Sequence, residues 1–383
     1  MRTLTTEFAG TLRARWPAVI AVLVPAAVSF GILIHGYDGI TFLRGDCPYY
    51  YWTALALLRD HTFNLTNQLP GGWRGHLGQV AMSVGGQPVP KHPVVLSIVS
   101  LPWVATLGEA GALVFNVLQI ITLVWLLFLI SARVCRPAAA SAAVIFTFTG
   151  SFLPHYVWNF SPDVCATLLL TGAFLLLSID RGDLSHVFAG FLLGLACVAK
   201  FPLSLFVPGC LLLLSKPRVR NGLLVVSGAS VPLALFAFFN ARLFGSPFVT
   251  SYDRIVTLTA NGMPAVYSQR SSFDLAVGKG VVGQLLDPRH GLLTTSAITI
   301  ASLAGLPFLA RKDWRLTACI VVGSLGLFLF YSTYDQWAAS HYGNRFLMPV
   351  VSLFSVPLAA ALERLVGTHH DAATIASPAS EAH

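Results

Sequence analysis

Five short stretches place ionisable side chains at the edges of apolar runs, where a charge is costly unless something answers it. Asp46 in "GDCPYYYWTALALL" (45–58) precedes Pro48 and a run rich in Tyr and Trp. It reads either as the end residue of an interfacial helix or as a carboxylate held near the membrane surface to take a proton from a hydroxyl. Asp163 in "NFSPDV" (159–164) follows Ser161 and Pro162, an ordinary helix start with Ser as N-cap and Pro at the first position. Its other reading is a second acid that orients an acceptor or the base. Lys200 in "AKFP" (199–202) either snorkels to lipid headgroups or binds a phosphate. Arg345 in "DQWAASHYGNRFLMP" (335–349), with His341 and Tyr342 beside it, and Arg289 in "LLDPRHGLL" (285–293) are further cations suited to an anionic ligand. Together such groups can abstract a proton from a hydroxyl and stabilise charge on a phosphate.

The elements that must hold these residues are membrane helices. Of 383 residues, 55% are hydrophobic and 10% charged, against roughly 25% charged in soluble domains. A water-soluble enzyme is excluded. The net charge of +8 comes from short basic clusters between apolar runs, a topology signal rather than a nucleic-acid surface. Six cysteines at 47, 135, 165, 197, 210 and 319 show no CxxC spacing, which argues against a zinc site or a disulfide framework. His61, His76 and His92 share one loop at spacings that match no metal motif. No cofactor is firmly implied, and a divalent metal stays open as an alternative that the sequence does not support. The first apolar run lacks a small-residue cleavage site and reads as an anchor.

Apolar runs near twenty residues occur at about 17–35, 112–131, 138–157, 164–179, 222–241, 292–310, 316–333 and 346–366. A longer run, 186–215, is interrupted at Lys200 and Pro202 and reads as a hairpin of two short helices. The stretch 92–108 is short and holds Pro102. Arg2, Arg13 and Arg15 put the N-terminus in the cytoplasm by the positive-inside rule. If 92–108 crosses, Arg133, Arg136, Arg181, Lys216, Arg218, Arg220, Arg311, Lys312 and Arg315 all face outward; otherwise all nine face inward. The chain is therefore expected to be an all-α integral membrane protein of about ten transmembrane helices, with 92–108 re-entrant or interfacial and both termini cytoplasmic. The expected polytopic domain is 1–366, with outer loops 36–111 and 242–291, followed by a disordered cytoplasmic tail, 367–383. This arrangement puts Asp46, Asp163, Lys200, Arg289, His341 and Arg345 on one outer face.

The order of these stretches resembles a known family. An acid after the first span is backed by "YYYWTALALLRD" and then "KHPVVLSIVSLPWVATLG"; "SPD", "AKFPLSLFVPG", "NARLFGSPFVTSY", "LLDPRHGLL" and "YGNRFLMP" follow. From about residue 10 to 366 the chain resembles the GT-C class of polytopic membrane glycosyltransferases, the group that includes protein O-mannosyltransferases and the lipid A aminoarabinose transferase. The resemblance implies a polyprenyl-phosphate sugar donor, an acceptor hydroxyl on lipid, protein or polysaccharide, and inverting transfer on the periplasmic or lumenal face. It also implies that Asp46 is the base. Two departures stand out. Cys47 follows Asp46 where many relatives have a second acid, which weakens any claim for a metal, and the large extra domain of many relatives is lacking.

On this reading Asp46 deprotonates the acceptor, Arg345 with Lys200, Arg289 and Tyr342 holds the donor phosphate, and Asp163, Tyr49 and His341 orient the acceptor or the base. Competing readings are a lipid-linked sugar flippase or transporter, favoured by the broken hairpin, and a non-catalytic scaffold of the cell envelope. Against transport, hydropathy shows no inverted repeat and the polar residues gather on one side.

Overall fold

The apolar runs fold as helices, and Pro17, Pro25, Pro232 and Pro307 are carried inside them. The computed structural model describes residues 2–36, 45–179, 182–259, 261, 263–339 and 342–375. His341 and the end of the expected tail, 376–383, lie outside the described residues. In chain order the elements are α1 (Arg2–Gly36), α2 (Cys47–Arg59), β1 (Val80–Met82), β2 (Pro88–Pro90), α3 (Val95–Val99), α4 (Leu101–Val134) and α5 (Pro137–Thr149). Then come α6 (Pro162–Ile179), α7 (Asp183–Ala199), α8 (Val207–Leu212), α9 (Arg218–Phe244), β3 (Ile255–Leu258), β4 (Pro264–Tyr267) and α10 (Val277–Leu286). The last are α11 (Leu292–Thr295), α12 (Ile298–Lys312), α13 (Trp314–Ser332), α14 (Met348–Leu353) and α15 (Ser355–Ile375).

Among the described residues, six helical segments are long and apolar enough to cross a membrane: Trp16–His35, Leu101–Val134, Pro162–Ile179, Arg218–Phe244, Trp314–Ser332 and Arg345–Val366. The other expected spans fall on shorter apolar pieces. Helix α5 has 13 residues, about 20 Å at 1.5 Å per residue, and is followed by a 3₁₀ turn, Leu153–Val157. The expected hairpin is α7, broken at Lys200, then a 3₁₀ turn (Phe201–Phe206) and α8. The chain is an integral membrane protein. Helix α9 makes the point physically: Val219, Leu223, Val226, Val231, Leu235 and Phe238 are all exposed, a surface that only lipid tolerates.

The stretch 92–108 forms α3 and the first turns of α4, and Gly108 (φ +59°) sets those turns at an angle to the rest. Glycine takes this left-handed conformation without a Cβ penalty. Beyond it, 109–134 is long enough to cross alone.

The helical class carries one addition that the sequence did not announce. Two long inter-helix segments build a four-stranded antiparallel sheet in the order β2–β1–β3–β4. Ala81 pairs with both Val89 and Ile255, so the segment after α2 and the segment after α9 share one ladder. Gly78 donates to Val256 O (2.7 Å), Met82 to Arg254 O (2.9 Å), and Ser251 Oγ to Lys91 O (2.6 Å). These bonds fix the segment 78–92 above the helix ends, where the charged residues gather.

Candidate active site

Asp46 occupies the N-cap position of α2, yet its side chain caps nothing. Its Oδ2 accepts from Arg345 Nη2 at 2.8 Å, and its Oδ1 lies 3.6 Å from His92 Nε2. The helix-end reading of Asp46 therefore fails for the side chain, which turns inward to a cation from the far end of the sequence. Helix α2 is held in place by Ser97 Oγ donating to Tyr50 O at 2.8 Å.

Arg345 is set by its own turn. Asn344 Oδ1 accepts from Phe346 N (3.1 Å) and caps the 3₁₀ turn Arg345–Leu347. Asn344 Nδ2 in turn donates to Gln284 Oε1 (3.2 Å), which ties the turn to α10. Gly343 has φ +68°, and a Cβ there would lie 2.3 Å from the ring of Phe152. Only glycine fits, and the close approach aims the chain at the site.

A second ion pair lies beside the first. Lys200, left in extended backbone at the end of α7, pairs with Asp163. Ser161 Oγ donates to the other oxygen of Asp163 at 3.0 Å. The expected capping serine thus serves the carboxylate, and the carboxylate serves Lys200. Lys200 Nζ also reaches Arg345 O at 3.5 Å and lies over the Phe346 ring at 4.9 Å, while Arg345 Cζ lies over the same ring at 5.1 Å. The two cations share one aromatic ring. Arg345 joins the two pairs, its side chain to Asp46 and its carbonyl to Lys200.

Burial pushes the Asp46 carboxyl up, but the surrounding positive charges outweigh it and hold the group well below the usual carboxylate range. Burial drives His92 down to about 4, so at pH 7 the ring is neutral, and Arg345 is the cation in hydrogen-bond contact with Asp46. Lys91, half-buried, is lowered by burial and by Arg345 and raised by Asp46; it donates to Gly78 O at 2.8 Å. Three cations (Lys91, Lys200, Arg345) thus face two carboxylates (Asp46, Asp163). Among the described residues Arg345 Nε is buried without a hydrogen-bond acceptor. An excess positive charge with an unused guanidinium donor is the arrangement an oxyanion completes.

The remaining expected residues lie at the margin. Tyr49 Oη bonds His76 Nδ1 at 2.9 Å, and its ring centroid is 6.4 Å from that of His92. Tyr342 lies tilted against the His155 ring (centroids 4.4 Å apart), and its carbonyl accepts from Tyr156 Oη at 3.5 Å. The Arg289 side chain is exposed; its carbonyl accepts from Gly343 N at 2.8 Å, so it braces the Arg345 turn through its backbone. Cys47 and Cys165 are both free thiols, and Cys47 Sγ donates to Asn159 Oδ1 at 3.2 Å. Among the described residues no group of three or more His, Cys, Asp or Glu is placed to hold a metal ion. The sequence reading had no role for Lys91 and His92, although both stand in "KHPVVLSIVS"; what identifies them is the sheet, which folds that stretch over Asp46.

No family model matches the sequence, and no curated protein matches it significantly. Solved structures do. The lipid A aminoarabinose transferase ArnT from Cupriavidus metallidurans, in a structure bound to undecaprenyl phosphate, is similar at a TM-score of 0.60 and 13% identity, over 95% of this chain and 65% of that one. The archaeal oligosaccharyltransferase AglB from Archaeoglobus fulgidus, in complex with an inhibitory peptide and a dolichol-phosphate, is similar at a TM-score of 0.52 and 12% identity, over 96% of this chain and 52% of that one. The chain therefore has the GT-C membrane fold and spans somewhat under two thirds of the first structure's length and about half of the second's.

Proposed function

We propose that the protein is an inverting glycosyltransferase that moves a sugar from a polyprenyl-phosphate donor to an acceptor hydroxyl at the outer, periplasmic or lumenal, face of the membrane. The observation that carries this reading is the Asp46–Arg345 pair at 2.8 Å with Arg345 Nε unsatisfied. A base and a phosphate ligand stand in contact, and the ligand has a donor to spare. The GT-C fold supports it, as do the lipid phosphates bound in both similar structures.

In the proposed reaction the donor phosphate takes the Arg345 guanidinium, with Lys91 adding charge from the sheet and Lys200 from behind. Asp46, released, accepts the proton of the acceptor hydroxyl. The hydroxyl oxygen bonds to the anomeric carbon opposite the phosphate, the carbon–oxygen bond to phosphate breaks, and the phosphate leaves with the electron pair. The configuration inverts in one displacement. The leaving phosphate is stabilised by fixed cations, so no general acid is needed. Asp163 holds Lys200, and through it the Arg345 turn.

The test is incubation of membranes with radiolabelled undecaprenyl-phosphate sugars. Labelled product from the wild-type chain and none from Asp46→Asn, at equal membrane content, supports the enzyme. Movement of the lipid-linked sugar across the bilayer without product selects a flippase, and wild-type turnover by Asp46→Asn removes Asp46 as the base. Sidedness is checked by labelling single cysteines placed at residue 46 and residue 345, which should react with the same impermeant reagent.

A further inference from the structure

Once a phosphate draws Arg345 away, Asp46 is left as a buried anion short of a partner, a costly state. A second donor stands ready on its other oxygen. His92 Nε2 lies 3.6 Å from Asp46 Oδ1 and 3.2 Å from Gln79 Oε1. Both atoms are acceptors, so Nε2 carries the ring proton. At these distances the hydrogen bond belongs to Gln79, and Asp46 is just out of reach. The ring itself is buried and clamped, 5.2 Å from the Tyr50 ring and edge-on to Tyr252 at 6.4 Å. Because burial keeps His92 neutral at pH 7, it can donate to the carboxylate as a neutral imidazole.

We propose that His92 is a positioning residue for Asp46: its Nε2–H, resting on Gln79 in the donor-free centre, passes its hydrogen bond to Asp46 Oδ1 when a lipid phosphate draws Arg345 away. No proton changes owner; one hydrogen bond moves. A shift of under about 1 Å brings the 3.6 Å separation to hydrogen-bond length. The inference rests on Arg345 being the phosphate ligand, and it makes phosphate binding depend on a residue that need not touch the phosphate.

The experiment uses undecaprenyl phosphate alone, so the sugar need not be known. Its affinity is measured for the full chain in nanodiscs by native mass spectrometry. His92→Leu should weaken binding about tenfold or more, since a hydrogen bond to a charged group is lost, and His92→Gln, which keeps an N–H at similar reach, should stay within about threefold of wild type. In an Asp46→Asn background, where Arg345 no longer has to leave a carboxylate, binding tightens and His92→Leu has no further effect. That dependence on Asp46 is what a merely structural role would not show. Equal weakening in both backgrounds, wild-type affinity for His92→Leu, or a Gln variant no better than Leu each overturns the inference. If His92→Leu does not fold, Gln79→Leu decides: freeing the His92 N–H for Asp46 should tighten binding by about fivefold, and unchanged or weaker binding overturns the proposal. Failure of the wild type to bind undecaprenyl phosphate strikes Arg345 as the phosphate ligand, and this inference with it.

Discussion

The molecule carries ion pairs at both ends of its helix bundle, and they differ in their surroundings. At one end Arg220 pairs with Asp183 between the starts of α9 and α7, with side chains 60% and 53% exposed, and Lys312 with Arg136 flanks Glu363. At the other, Asp46–Arg345 and Asp163–Lys200 are nearly enclosed, at 16% and 17% and at 3% and 9%. Exposed pairs are worth about 0–1 kcal/mol, and basic residues in such places are the ones that the positive-inside rule counts. Enclosed pairs cost desolvation that their mutual attraction only partly returns, and the excess charge and unsatisfied donor beside these two are what the proposed phosphate would use. Pairing chemistry is the same at both ends. Enclosure and leftover charge separate a site from a topology signal.

Mutations at the two ends should separate just as sharply. Asp46→Asn should lower sugar transfer by about 10²–10⁴-fold, the range for a general base, with membrane content unchanged by immunoblot. Arg345→Lys keeps the charge but loses the planar fork, and initial rates at low donor should fall by about 10²-fold. Lys200→Met leaves Asp163 enclosed without its cation and should cost about 3–5 kcal/mol of stability; Lys200→Met with Asp163→Asn should recover much of it in thermal unfolding in detergent. Arg220→Gln, at the exposed pair, should shift stability by less than about 1 kcal/mol and leave transfer unchanged. A large loss there would erase the contrast.

Acid should act through His92. Unfolded, its ring takes a proton near 6.5; folded, near 4. Between those values the unfolded chain holds the extra proton, so stability is full above the upper value and falls as the pH drops towards the lower one. His92→Gln should lose less melting temperature than wild type between about pH 7 and pH 5. Asp46, held far down, stays ionised across that window and should give the donor-free protein no titration there.

Much of the site was legible in the sequence because charge beside an apolar run is rare enough to be informative. Asp46, Asp163, Lys200 and Arg345 were each readable, and the structure brings all four together. What could not be read was partnership. Nothing in "SPD" says that Asp163 turns to Lys200 rather than to the amides of its own helix, and nothing in "RGDCP" says that Asp46 leaves its cap for a residue near the other end of the chain. Strands of three and four residues containing Pro88, Pro90 and Pro264 give too short a period-2 signal to detect. That sheet is what brings Lys91 and His92 to Asp46. Span counting met a similar limit, because α5, α7, α8 and α12 are short pieces that share turns and 3₁₀ segments with their neighbours.

A structure of the full chain with undecaprenyl phosphate bound tests the central claim most directly. The phosphate should sit on the Arg345 guanidinium, with the Asp46–Arg345 contact opened beyond its 2.8 Å and the carboxylate facing the space an acceptor would enter. A phosphate bound elsewhere, with the Asp46–Arg345 pair intact, contradicts it.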